Sequence, residues 1–175
     1  MLSKTAKVLY SSIPFKKQLF SALKLFWKPD EKVFRHLHFK GVFKVKLDES
    51  HAFKLRHYAF QIENEIFLGG IRGGWEKTSI DLWIKLCKNA NVVFDIGANT
   101  GVLALIAKTM NPNSLVYAIE PIKRVYEKLV ANVDLNNYEI RTFEKAASNR
   151  NGSAIVFDTP TEHILSVTVN KNLNI

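Results

Sequence analysis

The feature that most constrains this chain is a strand-to-helix passage: Val92 Val93 Phe94 Asp95 Ile96 Gly97 Ala98 Asn99 Thr100 Gly101, running on into an almost wholly apolar stretch, residues 102–107. The first half is an apolar run of the length expected for a strand buried on both faces, and the last part has the composition of a buried helix. Glycines at the join let the backbone approach a ligand closely, and the helix start offers unpaired N–H groups and the positive end of its dipole. Thr100 is placed to cap that helix. Three residues separate Gly97 from Gly101, which is not the GxGxxG spacing of a dinucleotide fold. Asp95, just ahead of the glycines, suits a ligand that carries an ammonium group and repels a phosphate. The plain alternative is a tight strand-to-helix connection with no ligand.

The next element strengthens the ligand reading. Leu115 Val116 Tyr117 Ala118 Ile119 has the pattern of a second buried strand, and it ends in Glu120 and Pro121. A carboxylate at the tip of the second strand, about 20 residues past the glycines, is where an α/β nucleotide fold holds the two hydroxyls of a ribose. Glu120 would also be favoured as a plain helix N-terminal carboxylate beside a proline. Downstream, Ile122, Val125, Tyr126, Leu129 and Val133 form the apolar stripe of a helix, and residues 140–143 form a third strand. Alternating strands and helices give a parallel sheet with right-handed crossovers. Residues 149–152 read as a polar turn and 153–157 as a further, antiparallel strand; the final ten residues have no firm register.

Upstream, Phe15, Leu19, Ala22, Leu23, Phe26 and Trp27 recur at helical spacing, with Lys16, Lys17, Lys24 and Lys28 largely elsewhere on the wheel. Such a basic amphipathic helix over residues 14–28 fits either packing on its own domain or lying in a membrane interface. Phe43, Val45 and Leu47 alternate with lysines, Asp48 Glu49 Ser50 turn the chain, and Phe53, Leu55 and His57 alternate again: a hairpin with one charged face. Residues 62–68 read as a third strand. The glycines at 69, 70, 73 and 74 mark a boundary or loop, and residues 75–88 a helix with Ile80, Trp83, Ile84, Leu86 and Cys87 apolar. His36, His38, His51 and His57 lack the spacing of a metal site.

The residues 93–101, then Val116 to Pro121, then Ala131 Asn132 Val133 with Asn136, then Ala146 Ala147 Ser148 and Gly152, resemble the FkbM-type family of S-adenosylmethionine-dependent methyltransferases over about residues 75–160. The resemblance implies an α/β, Rossmann-like class I methyltransferase core. In it Asp95, Gly97, Ala98, Asn99 and Gly101 surround the methionine part of S-adenosyl-L-methionine, Glu120 with Pro121 holds the ribose, and Ala146 lies beside the adenine. A glutamate at about the position of Glu76 precedes the core in that family, where it either faces the cofactor or is a plain first-turn helix carboxylate. The resemblance also implies O-methylation of a hydroxyl on a sugar, glycolipid or similar small molecule. The fourth strand of such a core, with its acidic stretch, has no counterpart before Ile175, so only the first three parallel strands are expected, as in a truncated product. Residues 1–74 then form a basic helix and hairpin region, and 75–175 the N-terminal half of the methyltransferase domain. No catalytic base is named, because that role falls after the missing strand. The strand at residues 92–96 becomes a sheet edge, to be covered by the hairpin, by a second copy in a homodimer, or by nothing.

Charge supplies the competing reading. Residues 1–57 hold 13 Lys+Arg against 4 Asp+Glu, whereas the rest balance, so the net +9 belongs to the N-terminal third. That asymmetry fits an acidic partner or simple solubility. A non-catalytic basic module binding a membrane or nucleic acid is thus one alternative, although nucleic acid is disfavoured as a partner of the whole chain; an NAD-dependent oxidoreductase is the other, disfavoured by the glycine spacing and Asp95. The lone Cys87 is compatible with a reducing compartment. Neither a signal peptide nor a membrane span stands out, and a cytoplasmic protein, with or without peripheral membrane contact, is expected.

Overall fold

The computed structural model describes residues 15–26, 39–73, 76–149, 152, 156–158 and 167–169. Trp27, Lys28, His36, His38, Gly74, Trp75 and most of the chain beyond residue 150 lie outside the described residues. The elements are α1 (Lys16–Phe26), β1 (Gly41–Lys46), β2 (Ala52–His57), α2 (Gln61–Gly69), α3 (Lys77–Cys87), β3 (Val92–Ile96), α4 (Val102–Met110), β4 (Leu115–Ile119), α5 (Lys123–Leu135), β5 (Ile140–Phe143), β6 (Val156–Asp158) and β7 (Val167–Val169). The fold is α/β: β3, β4 and β5 form a parallel sheet in that order, and β1–β2 and β6–β7 are separate antiparallel pairs.

Helix α4 is the centre of the packing. It is buried all round, with Ala104, Leu105, Ile106 and Ala107 fully enclosed, because β3 and β4 lie on one side and β2 on the other. Its two polar residues, Lys108 and Thr109, are buried with their hydrogen bonds made, to Ser114 C=O at 2.9 Å and Leu105 C=O at 2.7 Å. Its cluster of buried side chains continues without a break from Phe20, Phe43 and Phe67 through Leu105 to Leu129 and Ile140. The hairpin contributes Phe43, Val45, Phe53 and Leu55 from its inner face, as the alternation requires.

Two asparagines one turn apart, Asn132 on α5 and Asn136 at its C-cap, seal the hairpin's free edge. Asn132 Oδ1 accepts from Arg56 N–H at 3.0 Å, while Asn136 accepts from Lys54 N–H at 2.7 Å and donates back to Lys54 C=O at 2.8 Å. The fully buried Asn132 also donates to Thr100 C=O at 2.8 Å, so one side chain ties hairpin, helix and glycine turn together.

Three expectations are corrected. Residues 62–68 are not a strand: they lie in α2, where Ile62, Ile66 and Phe67 face inward at helical spacing. Glu63, three residues into the helix, accepts from Phe60 N–H at 2.9 Å, half of a capping box. Thr100 does not cap α4; Gly101 holds the N-cap position, and Asp95 Oδ2 takes the Ala104 N–H at 2.9 Å. The strand 92–96 is buried on one face only. Val92, Phe94 and Ile96 are 48%, 58% and 63% exposed, since every helix that touches the sheet packs on the other side. On the open face Phe94 stacks on Tyr117 at 4.9 Å and Tyr117 on Phe143 at 6.4 Å. As expected, β3 is an edge, and among the described residues no strand pairs with its free side. The segment past residue 150 does contain an antiparallel strand, β6, and its partner β7 falls in the stretch that showed no register.

Candidate functional site

The turn between β3 and α4 is held in place by backbone bonds to the neighbouring strand. Gly97 N–H and Ala98 N–H both donate to Ile119 C=O, at 2.9 and 3.0 Å, and Gly101 N–H closes the turn on Ala98 C=O at 2.8 Å. Gly97, Asn99 and Gly101 have φ of +79°, +51° and +91°, the left-handed region that glycine and asparagine tolerate best. A methyl group placed on Gly97 would meet nothing within 4 Å, whereas on Gly101 it would run into Leu129 at 2.6 Å. One glycine opens onto free space and the other permits helix α5 to approach.

Gly97 also borders a cavity of about 540 Å³. Asp95, Gly97, Ala98 and Asn99 line it on the sheet side, and Glu76 and Ile80 of the α3 start border it too. The remaining wall is α2, through residues such as Phe60, Gln61, Glu65 and Ile66. None of these residues stood out in the sequence, because the strand expected over residues 62–68 leaves Gln61 outside it and extended backbone holds positions 61 and 65 roughly 13 Å apart; in the helix they fall at i and i+4, where Gln61 Nε2 donates to Glu65 Oε1 at 2.8 Å.

Three carboxylates, Glu65, Glu76 and Asp95, face the cavity, and no lysine, arginine or histidine is among its described lining residues. Among the described residues Asn99 Oδ1 is buried without a hydrogen-bond partner. Glu120 does not line the cavity but is joined to its wall: Oε2 accepts from Asn99 N–H at 3.0 Å and Oε1 from Ile122 N–H at 3.0 Å. Gly101 sits behind the turn at the helix start, Pro121 is half-buried after Glu120, and Ala146 is exposed in the segment following β5. The structure thus brings Asp95, Gly97, Ala98 and Asn99 together with Glu76, attaches Glu120 through one hydrogen bond, and leaves Pro121 and Ala146 outside the cavity. Among the described residues no cluster of metal-binding side chains occurs, and no helix is long and apolar enough to cross a membrane.

Burial dominates the acid–base chemistry here. It pushes the Asp95 carboxyl up to about 6, with the nearby Glu120 charge adding and the Ala104 N–H opposing. It pushes Glu63, fully enclosed behind the turn, up to about 7 against the N–H groups of Phe60 and Tyr58. The Thr100 hydroxyl faces Glu63, yet neither Thr100 Oγ1 nor Glu63 Oε1 meets hydrogen-bond geometry. Both carboxyls hold protons in the folded state over a range where the unfolded chain has lost them. Their contribution to stability is therefore complete at low pH and is lost as pH rises through about 6 for Asp95 and about 7 for Glu63. Glu63→Gln is expected to flatten the fall of the urea midpoint between about pH 5 and about pH 8; an unchanged slope would show that this carboxyl is not the titrating group.

No family model matches the chain. Over 72 residues it is 33% identical to the tRNA1(Val) (adenine(37)-N6)-methyltransferase of Pseudoalteromonas translucida (strain TAC 125), covering 37% of this chain and 31% of that protein. The chain thus spans less than a third of that curated relative's length. Among solved structures it is similar to a SAM-dependent methyltransferase from Agrobacterium tumefaciens, with 17% identity, a TM-score of 0.42, and coverage of 62% of this chain and 34% of that one. A second similar structure is a Plasmodium falciparum chain assigned as a protein-L-isoaspartate O-methyltransferase, in complex with S-adenosyl-L-homocysteine: 15% identity, TM-score 0.36, coverage 74% and 62%. In sequence, then, the chain is similar to a methyltransferase, and its architecture, a parallel sheet entered through a glycine turn, is Rossmann-like.

Proposed function

We propose that this chain is the cofactor-binding part of an S-adenosylmethionine-dependent class I methyltransferase. The observation that carries the reading is the charge of the cavity: three carboxylates and no described cation, in a chain whose net charge is +9. Such a site favours a ligand with ammonium and sulfonium charges and repels the pyrophosphate of a nicotinamide cofactor. Bound there, S-adenosylmethionine supplies a methyl group made electrophilic by its sulfonium. Asp95 and Glu76 offset the ligand's positive charge, Gly97 admits it against the backbone, and Asn99 Oδ1 offers an acceptor that no described residue uses. Each Glu120 oxygen already takes one backbone N–H and keeps a lone pair, so the carboxylate is able to accept two ribose hydroxyls without giving up the turn. Ala98, Gly101 and Pro121 shape the backbone around these groups, and Ala146 is assigned to the adenine end.

Two acceptors follow from the likenesses. The FkbM-type resemblance suggests a sugar or glycolipid hydroxyl, and the curated relative, by its name, acts on an adenine of tRNA. Calorimetric titration tests the cofactor reading. S-adenosylmethionine and S-adenosylhomocysteine are expected to give saturable heats and NADH none. Affinity for the cationic cofactor should rise with pH through about 6 as Asp95 ionises. A folded sample that binds NADH, or none of the three, overturns the assignment.

A further inference from the structure

The hairpin gathers cations on one face in a way that folding alone disfavours. In its register Lys44 stands directly opposite Lys54, Val42 opposite Arg56 and Lys46 opposite Ala52. Since the other face is buried, Lys44, Lys46, Lys54 and Arg56 all project outward and are exposed, and Lys40 continues the same alternation ahead of β1. Like charges directly across an antiparallel pair destabilise it. The hairpin's carboxylates, Asp48 and Glu49, lie in its tip, where Asp48 is taken by His51 and the Ser50 N–H. Lys44, Lys46 and Lys54 take part in neither of the ion pairs His51–Asp48 and Arg72–Asp81, and no described carboxylate is paired with them. Arg56 interacts with the Tyr58 hydroxyl.

We propose that this face binds the phosphate backbone of a nucleic acid and so presents a polynucleotide as the methyl acceptor. The second half of that statement rests on the methyltransferase reading; the first does not. Alternate side chains on a strand are roughly 7 Å apart and neighbouring strands about 4.8 Å, so the four cations form a compact patch able to meet several phosphates at once. The patch is also rigidly joined to the cavity. Arg56 N–H and Thr100 C=O share the Asn132 side chain, and β2 leads within a few residues to Phe60 and Gln61 of the cavity wall. A membrane fits this face poorly, because insertion needs exposed apolar side chains. Its uncharged members, Val42 and Ala52, are half-buried, whereas the exposed Phe15, Leu19 and Phe26 belong to α1.

The test is fluorescence anisotropy of the full chain with a labelled RNA of mixed sequence. With four phosphates contacted, affinity is expected to fall roughly 50-fold between about 50 mM and about 200 mM salt. Lys44→Glu should weaken RNA binding by at least about tenfold without lowering the melting temperature, because the new carboxylate faces Lys54 across the pair. Lys85→Glu makes the same change of net charge on the exposed side of α3 and should leave affinity within about twofold. Equal losses from both variants, or no loss from Lys44→Glu, overturn the proposal. So does binding that depends on Lys44 to phosphatidylserine vesicles but not to RNA. Failure of the cofactor titration alongside Lys44-dependent RNA binding counts against the acceptor role alone and leaves the binding face standing.

Discussion

Glu120→Ala is expected to weaken binding of S-adenosylmethionine by on the order of 100-fold or more, since it removes hydrogen bonds to a charged acceptor worth about 1.5–3 kcal/mol each. The carboxylate is 6% exposed and anchors Asn99 N–H and Ile122 N–H, both at 3.0 Å. Its loss therefore acts twice. Under the proposed assignment two ribose hydroxyls lose their acceptor, and the Asn99 amide at the cavity wall is left without its partner. Folding stability falls as well, chiefly through the buried Ile122 N–H that loses Oε1, by roughly 1–3 kcal/mol for an orphaned buried N–H. Glu120→Gln separates the two effects, because its amide oxygen retains one acceptor while the negative charge is gone. Calorimetry and urea unfolding on the same samples give both numbers. If Glu120→Ala binds cofactor within a few-fold of the parent chain while remaining folded, the ribose assignment is wrong.

The second large effect is expected at Gly101, and it is one of stability. An alanine methyl there would sit 2.6 Å from Leu129 Cδ1, and the residue has φ of +91°. Leu129 is fully buried, so it has little room to yield. Overpacking costs about 1–3 kcal/mol and the left-handed backbone roughly another 1 kcal/mol for a residue with a Cβ. Gly101→Ala should accordingly lower the melting temperature by about 10 °C in a chain of this size. Gly97→Ala is the informative comparison: φ is +79° but the methyl meets open space. It should melt only a few degrees below the parent, at roughly 2–4 °C per kcal/mol, while losing cofactor affinity, because Gly97 lines the cavity proposed for the cofactor. Equal melting temperatures for the two variants would show that the approach of Leu129 to the turn is not as close as the structure has it.

These two glycines mark how much of the site was legible beforehand. The bend, its acidic lead-in and the carboxylate at the next strand tip are short-range patterns, and β3, α4, β4, α5 and β5 all formed where residue period and punctuation placed them. The wall opposite was not legible. Residues 62–68 are apolar enough for a strand, and what decides for helix is Glu63 folding back on Phe60 N–H together with the packing of Ile66 and Phe67 on the hairpin core. Misreading that element hid Gln61 and Glu65. Asn132 was visible only as part of a resemblance, yet its amide bridges residues 76 and 32 positions away.

The chain's own order of residues determined the strand, bend and helix units, the alternation of the hairpin and the surplus of positive charge toward the N-terminus, because each is set by neighbours within a few positions. Tertiary structure decided which sheet face is covered, that α2 closes the cavity, and that the cavity is acidic while the protein is basic. Those outcomes depend on which distant elements pack together, and a side chain's surroundings exist only once they have done so.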